Sequence, residues 1–261
     1  MSSVLERIVA ETRIAVQQRK RDVPLGELHQ IAALRTTRND FVAALNRPGV
    51  GLMAEIKRGS PSKGLFAPDL VPADLARTYC EIGAVAISVL TAPAFFATDD
   101  DLCDAARVLV GSGLPLLRKE FHVDPYQLAE AAALGADAYL LIAKTLTAAE
   151  LAELSRAGDE YGLTAFVEVT DEAETEMALE AGAAAIGINN RNLHTFEEDL
   201  GTTERLRDRI PTSVPVVAAS GVRTREDMMR MEACGVNAVL IGEALSSATD
   251  PHAKARELLG R

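Results

Sequence analysis

The sequence predicts an α/β protein: a single closed (β/α)8 barrel, the TIM barrel, with an N-terminal helical extension. Three observations lead there. Eight short apolar runs recur at a mean spacing of roughly 27 residues, the length of one strand–helix unit. A segment with helical periodicity follows each run, and nearly continuous apolar strands mean a parallel sheet covered by helices. A near-repeat of glycine and small residues, at 83–86, 135–138, 182–185 and 235–238, precedes every even-numbered run at intervals of about 50 residues. The glycine stops a helix in the left-handed conformation, and the small residues let the chain turn into the barrel wall. The length, 261 residues, suits one such barrel. The rival, an open doubly wound sheet, usually carries a G-x-G-x-x-G fingerprint after its first strand, and this chain has none.

Residues 1–47 have helical patterns and no strand signal, so they are expected to pack as an extension on a barrel of residues 48–261. Ser3 and Glu6 have the spacing of a capping box. Leu5, Ile8, Val9, Thr12, Ala15 and Val16 then share one helical face. A second helix begins at Pro24, with Leu25, Leu28, Ala32 and Leu34 as its buried side, and a short third one follows Asp40. The barrel runs lie at 51–57, 84–91, 115–121, 138–144, 164–169, 185–189, 214–220 and 238–243. Asp124 and Pro125 mark the start of a helix after the third run.

Apolar residues make up 48% of the chain and charged residues 25%, which excludes a disordered chain. The longest apolar runs fall far short of the roughly 20 residues a bilayer span needs, and the N-terminus lacks the apolar core of a secretory signal. A net charge of −11 with no basic stripe argues against nucleic acid and anionic membranes as partners. Cys80, Cys103 and Cys234 form an odd set without a CxxC, read as buried free thiols in a reducing cytoplasm. The histidines, at 29, 122, 194 and 252, have no ligand spacing, so no metal is expected.

In such barrels the chemistry sits at the C-terminal strand ends. Lys57, Lys119 and Glu168 are ionisable residues in apolar strands, and alternate strands share a layer, so they are expected in one ring with Ala219. Glu55 shares a face with Lys57. A buried ion-pair network is the bland alternative, but burying several charges for stability alone is costly. Two ammonium groups and two carboxylates suit acid/base work on an anionic substrate. The loop after the first strand, 58–64 with Ser60 inside, reads as a mobile lid or an ordinary turn. Ser220 and Gly221, with Gly242 and Glu243, stand where barrels bind phosphate through backbone N–H groups; close packing alone is the competing reason for the glycines. Asn189 and Arg191 end the sixth strand with an amide and a guanidinium fit for oxyanions, while Asn190 and Asn192 also suit turn chemistry. Phe95, Phe96 and Phe121 either wall an aromatic ligand or pack loops.

The segments AEIKRGSPSKG (54–64), LRKEFHVDPYQ (117–127), FVEV (166–169), IGINNRNLHTFEEDL (186–200) and LIGEAL (240–245) resemble the indole-3-glycerol-phosphate synthase family of tryptophan biosynthesis, and SVLTAPAFF (88–96) and GADAYLLI (135–142) extend the likeness along the chain. The resemblance implies a carboxy-lyase. It would close the indole ring of 1-(2-carboxyphenylamino)-1-deoxyribulose 5-phosphate with loss of CO2 and water, using no cofactor and no metal. It implies Lys119 as general acid, Glu168 as base and Lys57 as a contact to substrate charge that shares the acid role. Glu55, Ser60, Phe95, Phe121, Asn189 and Arg191 would bind and position the substrate. Ser220, Gly221, Gly242 and Glu243 would take its phosphate. The resemblance also places the apolar faces of the extension over the C-terminal rim of the strands, and the implied setting is a cytoplasmic monomer, its partners the small phosphorylated substrate and other enzymes of the pathway. Where this family usually has Glu-Ser-Gly, the chain has Ala219-Ser220-Gly221, which leaves Lys57, Lys119 and Glu168 with a formal +1. A paralogue of altered efficiency or substrate, a phosphate-ligand sensor and a Schiff-base aldolase using Lys57, Lys119 or Lys144 are the competing readings.

Overall fold

The protein is described by a computed structural model covering residues 4–192 and 195–261. Ser3, the expected cap partner of Glu6, and His194 lie outside the described residues.

Among the described residues, eight parallel strands close into a barrel. They are β1 (Gly51–Ile56), β2 (Ala86–Leu90), β3 (Leu116–Lys119), β4 (Ala138–Ile142), β5 (Thr164–Val169), β6 (Ala185–Asn189), β7 (Val216–Ala219) and β8 (Ala238–Ile241). Closure comes from β1, which pairs with β2 from Met53↔Ala86 to Ile56↔Val89 and with β8 from Gly51↔Ala238 to Ala54↔Ile241. Three helices precede the barrel: α1 (Val4–Asp22), α2 (Leu25–Ala33) and α3 (Phe41–Leu45). Between the strands stand α4 (Pro72–Glu81), α5 (Asp99–Val108), α6 (Tyr126–Leu134), α7 (Ala148–Ala157), α8 (Glu172–Glu180), α9 (Gly201–Arg207) and α10 (Arg225–Ala233), and after β8 come α11 (Glu243–Ser246) and α12 (Pro251–Leu259). The helix starts follow from local chemistry. The backbone N–H groups of Thr98, Thr147 and Thr224 donate to the carboxylate three residues on, and Asp40, Asp171 and Asp250 accept from the first turn.

Residues of period two face inward. Met53, Leu117, Leu140, Phe166, Val217 and Leu240 fill the barrel as a solid core. Gly187 is glycine because a Cβ there would stand 2.5 Å from the Phe166 ring. The even strands enter through Ala86, Ala138, Ala185 and Ala238, the final residues of the glycine near-repeat. The outer strand faces, with Ile87, Tyr139 and Val239, form the second core with helix residues such as Tyr79 of α4.

The extension does more than cover the rim. Only α1 lies beside the C-terminal mouth: Ile8 joins the interior cluster with Phe121, and Arg13 donates to the Val123 carbonyl. α2 packs along α6. α3 sits at the opposite end, where Asn46 accepts from Asn237 just before β8 begins. Its Phe41, fully buried, meets Phe166 edge-on at 5.8 Å and stoppers the barrel. The physical reason is length: the turn from α3 into β1 is too short to bring α3 to the far rim. Leu25 and Leu34, expected on the buried side of α2, are exposed, whereas Leu28 and Ala32 are buried. The three cysteines are free thiols but half-buried, since each lies on the flank of an outer helix.

Candidate active site

The inward residues at the strand ends are charged where the rest of the core is apolar. Glu55 is at the centre. One carboxylate oxygen lies 3.7 Å from the Lys119 ammonium and the other 3.9 Å from that of Lys57. Ser88 donates to it at 3.4 Å. Gly242 makes room, because a Cβ there would run into the Glu55 carboxylate. The expected ring is therefore corrected at one corner. Glu55, not Lys57, shares the layer with Lys119, Glu168 and Ala219. The strands are staggered around the barrel: Glu55 stands level with Ser88, while Lys119 stands level with Leu90. Lys57 follows the last residue of β1 and reaches down to Glu55 from above. Counting Glu55, two lysines against two glutamates make the cluster formally neutral, not +1.

The two lysines are tuned apart. Burial works against the charge of Lys119, but Glu55 and Glu168 outweigh it and hold its pKa above the ordinary lysine value. Burial, with Lys119 and Arg191 nearby, pulls Lys57 below that value in spite of Glu55. Lys119 is also fixed from behind. Its neighbour Arg118 points outward, wholly buried, to Asp99 at 2.8 Å and Glu130 at 3.4 Å. Arg19 of α1 holds Glu130 at 2.6 Å. The extension thus braces the strand that presents Lys119. Lys144 turns away to Glu174 on α8, 3.5 Å off, and takes no place in the ring.

Glu168 accepts a hydrogen bond from Asn189 at 3.0 Å, and Asn189 accepts one from the Arg191 backbone at 3.0 Å. Asn190, read as turn chemistry, is buried and structural: its amide donates to the Ala219 and Ser220 carbonyls and its oxygen caps Thr203. Phe95 and Phe121 stand 6.4 Å apart, and the Lys57 ammonium lies 5.7 Å from the Phe95 ring centre. These two rings border the charged cluster, whereas Phe96 is exposed in a left-handed turn. The loop after β1 folds into a small hairpin, Gly59–Ser60 against Gly64–Leu65. The Ser60 hydroxyl spends its hydrogen bonds inside that hairpin, on Ser62 and the Lys63 N–H.

Across the mouth a pocket of about 320 Å³ is lined by Lys57, Arg191, Ser220, Gly221, Gly242 and Glu243. Ser220 and Gly221 both have positive φ, 65° and 82°, so the chain reverses sharply there and turns its N–H groups over. Glu243 opens α11, and its useful group toward a phosphate is its N–H, since its carboxylate would repel an anion and is instead held 2.6 Å from Lys63. Lys63, from the 58–64 loop, also lines this pocket, as do Glu198, Arg223 and Lys254, which the sequence reading does not single out. Only for Arg223 was there a signal, a cation two residues past the glycine turn. Two described histidines have plain structural roles: His29 meets the Tyr161 hydroxyl at 2.7 Å, and burial pushes His122 down to about 3.

A family model described as indole-3-glycerol phosphate synthase matches residues 5–258. The chain belongs to the indole-3-glycerol phosphate synthase family. A synthase of this name from Dehalococcoides mccartyi is 45% identical over 258 residues, covering 98% of this chain and 100% of that one. A Streptomyces coelicolor protein named indole-3-glycerol phosphate synthase 2 is 45% identical over 260 residues, 100% of both chains. Among solved structures, a thiamine phosphate pyrophosphorylase from Pyrococcus furiosus superposes with a TM-score of 0.64 at 16% identity, over 85% of this chain and 96% of that one. This last likeness concerns the barrel alone. For a synthase of this family, the paired cluster on one side of the mouth and the glycine turns on the other form two halves of one cleft.

Proposed function

We propose that this chain, a decarboxylating lyase of tryptophan biosynthesis, works on 1-(2-carboxyphenylamino)-1-deoxyribulose 5-phosphate with its residues in the following roles. The phosphate sits on the N–H groups around Ser220, Gly221, Gly242 and Glu243, flanked by Lys57. The aryl ring lies along Phe95 and Phe121. Arg191, with Asn189 and Ser60 nearby, orients the anionic groups. Glu55 fixes both ammonium groups. Lys119 gives a proton to the substrate ketone oxygen as the carboxyl-bearing ring carbon attacks the ketone carbon. CO2 then leaves with its bonding pair returned to the ring. Glu168 takes the proton from the carbon between the nitrogen and the former ketone carbon, Lys57 gives one to the new hydroxyl, which departs as water, and indole-3-glycerol phosphate remains. This balances as one substrate giving product, CO2 and water. Lys57 contacts substrate charge from above the ring.

The observation that carries this reading is Lys119, an ammonium held charged between two carboxylates at the mouth of an apolar barrel. Incubating the purified protein with the carboxyphenylamino substrate should produce indole fluorescence, and folded protein without it would sink the proposal. Ala219 favours a second reading, a paralogue with shifted substrate preference, because this corner is small, apolar and only 4% exposed. A competition assay with related aminosugar phosphates separates the two. A cytoplasmic, monomeric enzyme that passes product to the next enzyme of the pathway, with α1–α3 as its extension, completes the proposal.

A further inference from the structure

Glu198 has no task in the reaction as written. It stands in the loop after β6, with its side chain 15% exposed. One carboxylate oxygen accepts from Arg191 Nε at 3.0 Å and from Arg191 Nη2 at 2.5 Å. The other accepts from Arg223 Nη2 at 2.6 Å. The backbones of Arg191 and Glu198 pair as an isolated antiparallel bridge, so the two side chains leave the loop together. All three residues line the phosphate-side pocket. Burial opposes the charge of Glu198, but the two guanidinium groups overcome it and hold its pKa below the usual carboxylate range.

An exposed ion pair contributes little, but the Arg191–Glu198 pair is mostly buried inside the cleft, and the exposed Arg223 adds a second cation to the same carboxylate. Arg191 needs such an anchor. It stands near two ammonium groups, and its charge disfavours protonation of both Lys57 and Lys119. A long cation in that field is driven toward solvent unless an anion holds it. Position 219, which pairs in register with Asn189, offers only a methyl group. The ring glutamates are already taken, Glu55 by the lysines and Glu168 by Asn189. Glu198 occupies one edge of the Arg191 guanidinium, and among the described residues Nη1 on its other edge makes no hydrogen bond.

We infer that Glu198 is a positioning residue: it pins Arg191 by one edge, with Arg223 clamping its other oxygen, and leaves the remaining guanidinium donors to an oxyanion of the substrate. This rests on the reading of Arg191 as a substrate contact given above. Glu198 then acts on binding and not on the chemical step. Its removal should raise KM about tenfold while kcat stays within about threefold, the pattern of lost ground-state binding. Arg223→Ala should move KM in the same direction by less.

The experiment is a double-mutant cycle with steady-state kinetics on the carboxyphenylamino substrate, using Arg191→Ala, Glu198→Ala and the pair, with Glu198→Gln as a shape-preserving variant should the alanine fail to fold. The expected result is a higher KM in both single variants and a double variant within about twofold of Arg191→Ala, because Glu198 acts through that arginine. Effects that multiply in the double variant overturn the inference. So does a lowered KM for Glu198→Ala, which would make Glu198 a competitor of the substrate, or a fall in kcat at constant KM. If Arg191→Ala raises KM and Glu198→Ala does not, the inference fails and the site reading stands. If Arg191→Ala itself leaves KM unchanged, the site reading of Arg191 fails and takes the inference with it.

Discussion

On the side of the mouth built by β1, β3 and β5, the charged groups rise from the strands themselves. Glu55, Lys119 and Glu168 are part of the hydrogen-bonded wall: Glu55 pairs with Lys119, and Glu168 accepts from Asn189 at the end of the next strand. On the opposite side, after β6, β7 and β8, the groups belong to loops. Arg191 is held by Glu198, Glu243 by Lys63 of the 59–65 hairpin, and the turn at Ser220 and Gly221 presents backbone. A strand fixes a side chain to within a fraction of an ångström through its neighbours on both sides. A loop fixes it through one or two contacts. The first arrangement suits proton transfer, which tolerates little misplacement. The second suits anion binding, which many geometries satisfy. Changes on the wall side should therefore appear in kcat, and changes on the loop side in KM.

The largest expected effect is on the wall. Lys119→Ala should lower kcat by about 10²-fold or more, the usual scale for losing a general acid, with KM changed little. A variant retaining more than half of wild-type kcat would remove Lys119 from the mechanism and break the comparison. Next comes Glu168→Gln, which keeps shape and the Asn189 contact but loses basicity. Its kcat should fall by roughly tenfold or more while KM stays within a few-fold. A sharp rise in KM at steady kcat would move Glu168 to the binding side.

Gly242→Ala tests the seam between the two sides. The new methyl group must push the Glu55 carboxylate away from the lysines, at a stability cost of about 1–3 kcal/mol for overpacking. Both kcat and KM should worsen by several-fold, because the residue belongs to the phosphate turn and limits the space of the ring. A change in KM alone would show that Glu55 adjusts freely and that the wall is less rigid than argued.

The smallest effect is a shift in pH dependence. Lys57 has a lowered pKa, so it loses its proton at a lower pH than an ordinary lysine, and kcat/KM should fall as pH rises through that value. Lys119 has a raised pKa, so kcat should hold to higher pH. Ala219→Glu adds a carboxylate to a neutral cluster and favours both ammonium forms. The alkaline limb of kcat/KM should move upward by less than about one pH unit. Identical limbs in the two proteins would show that position 219 is not coupled to the lysines.

The strands were legible because each is an apolar run bounded by a glycine stop and a helix cap, and both signals are local. Lys57, Lys119 and Glu168 were legible because an ionisable residue at the end of an apolar strand has few reasons to be there. The stagger between strands is a property of closure, which no single strand encodes, so the sequence reading put Lys57 in the layer that Glu55 occupies. Glu198 and Arg223 meet across 25 residues through a turn whose geometry depends on what packs beneath it. Nothing in their spacing announces the contact. Phe41 at the far end was missed for a related reason: an amphipathic pattern says that a residue is buried, not which end of a barrel buries it.

That far end matters for traffic. Phe41 against Phe166, over an interior filled to its axis, leaves the cleft without a rear exit. Among the described residues the opening is the C-terminal mouth, so substrate enters and everything made departs on that side. CO2 and water are small enough to slip past a bound indole, while the phosphorylated product has to wait for the mouth itself. The dead-end shape therefore predicts a sequential departure, CO2 and water before the phosphorylated product.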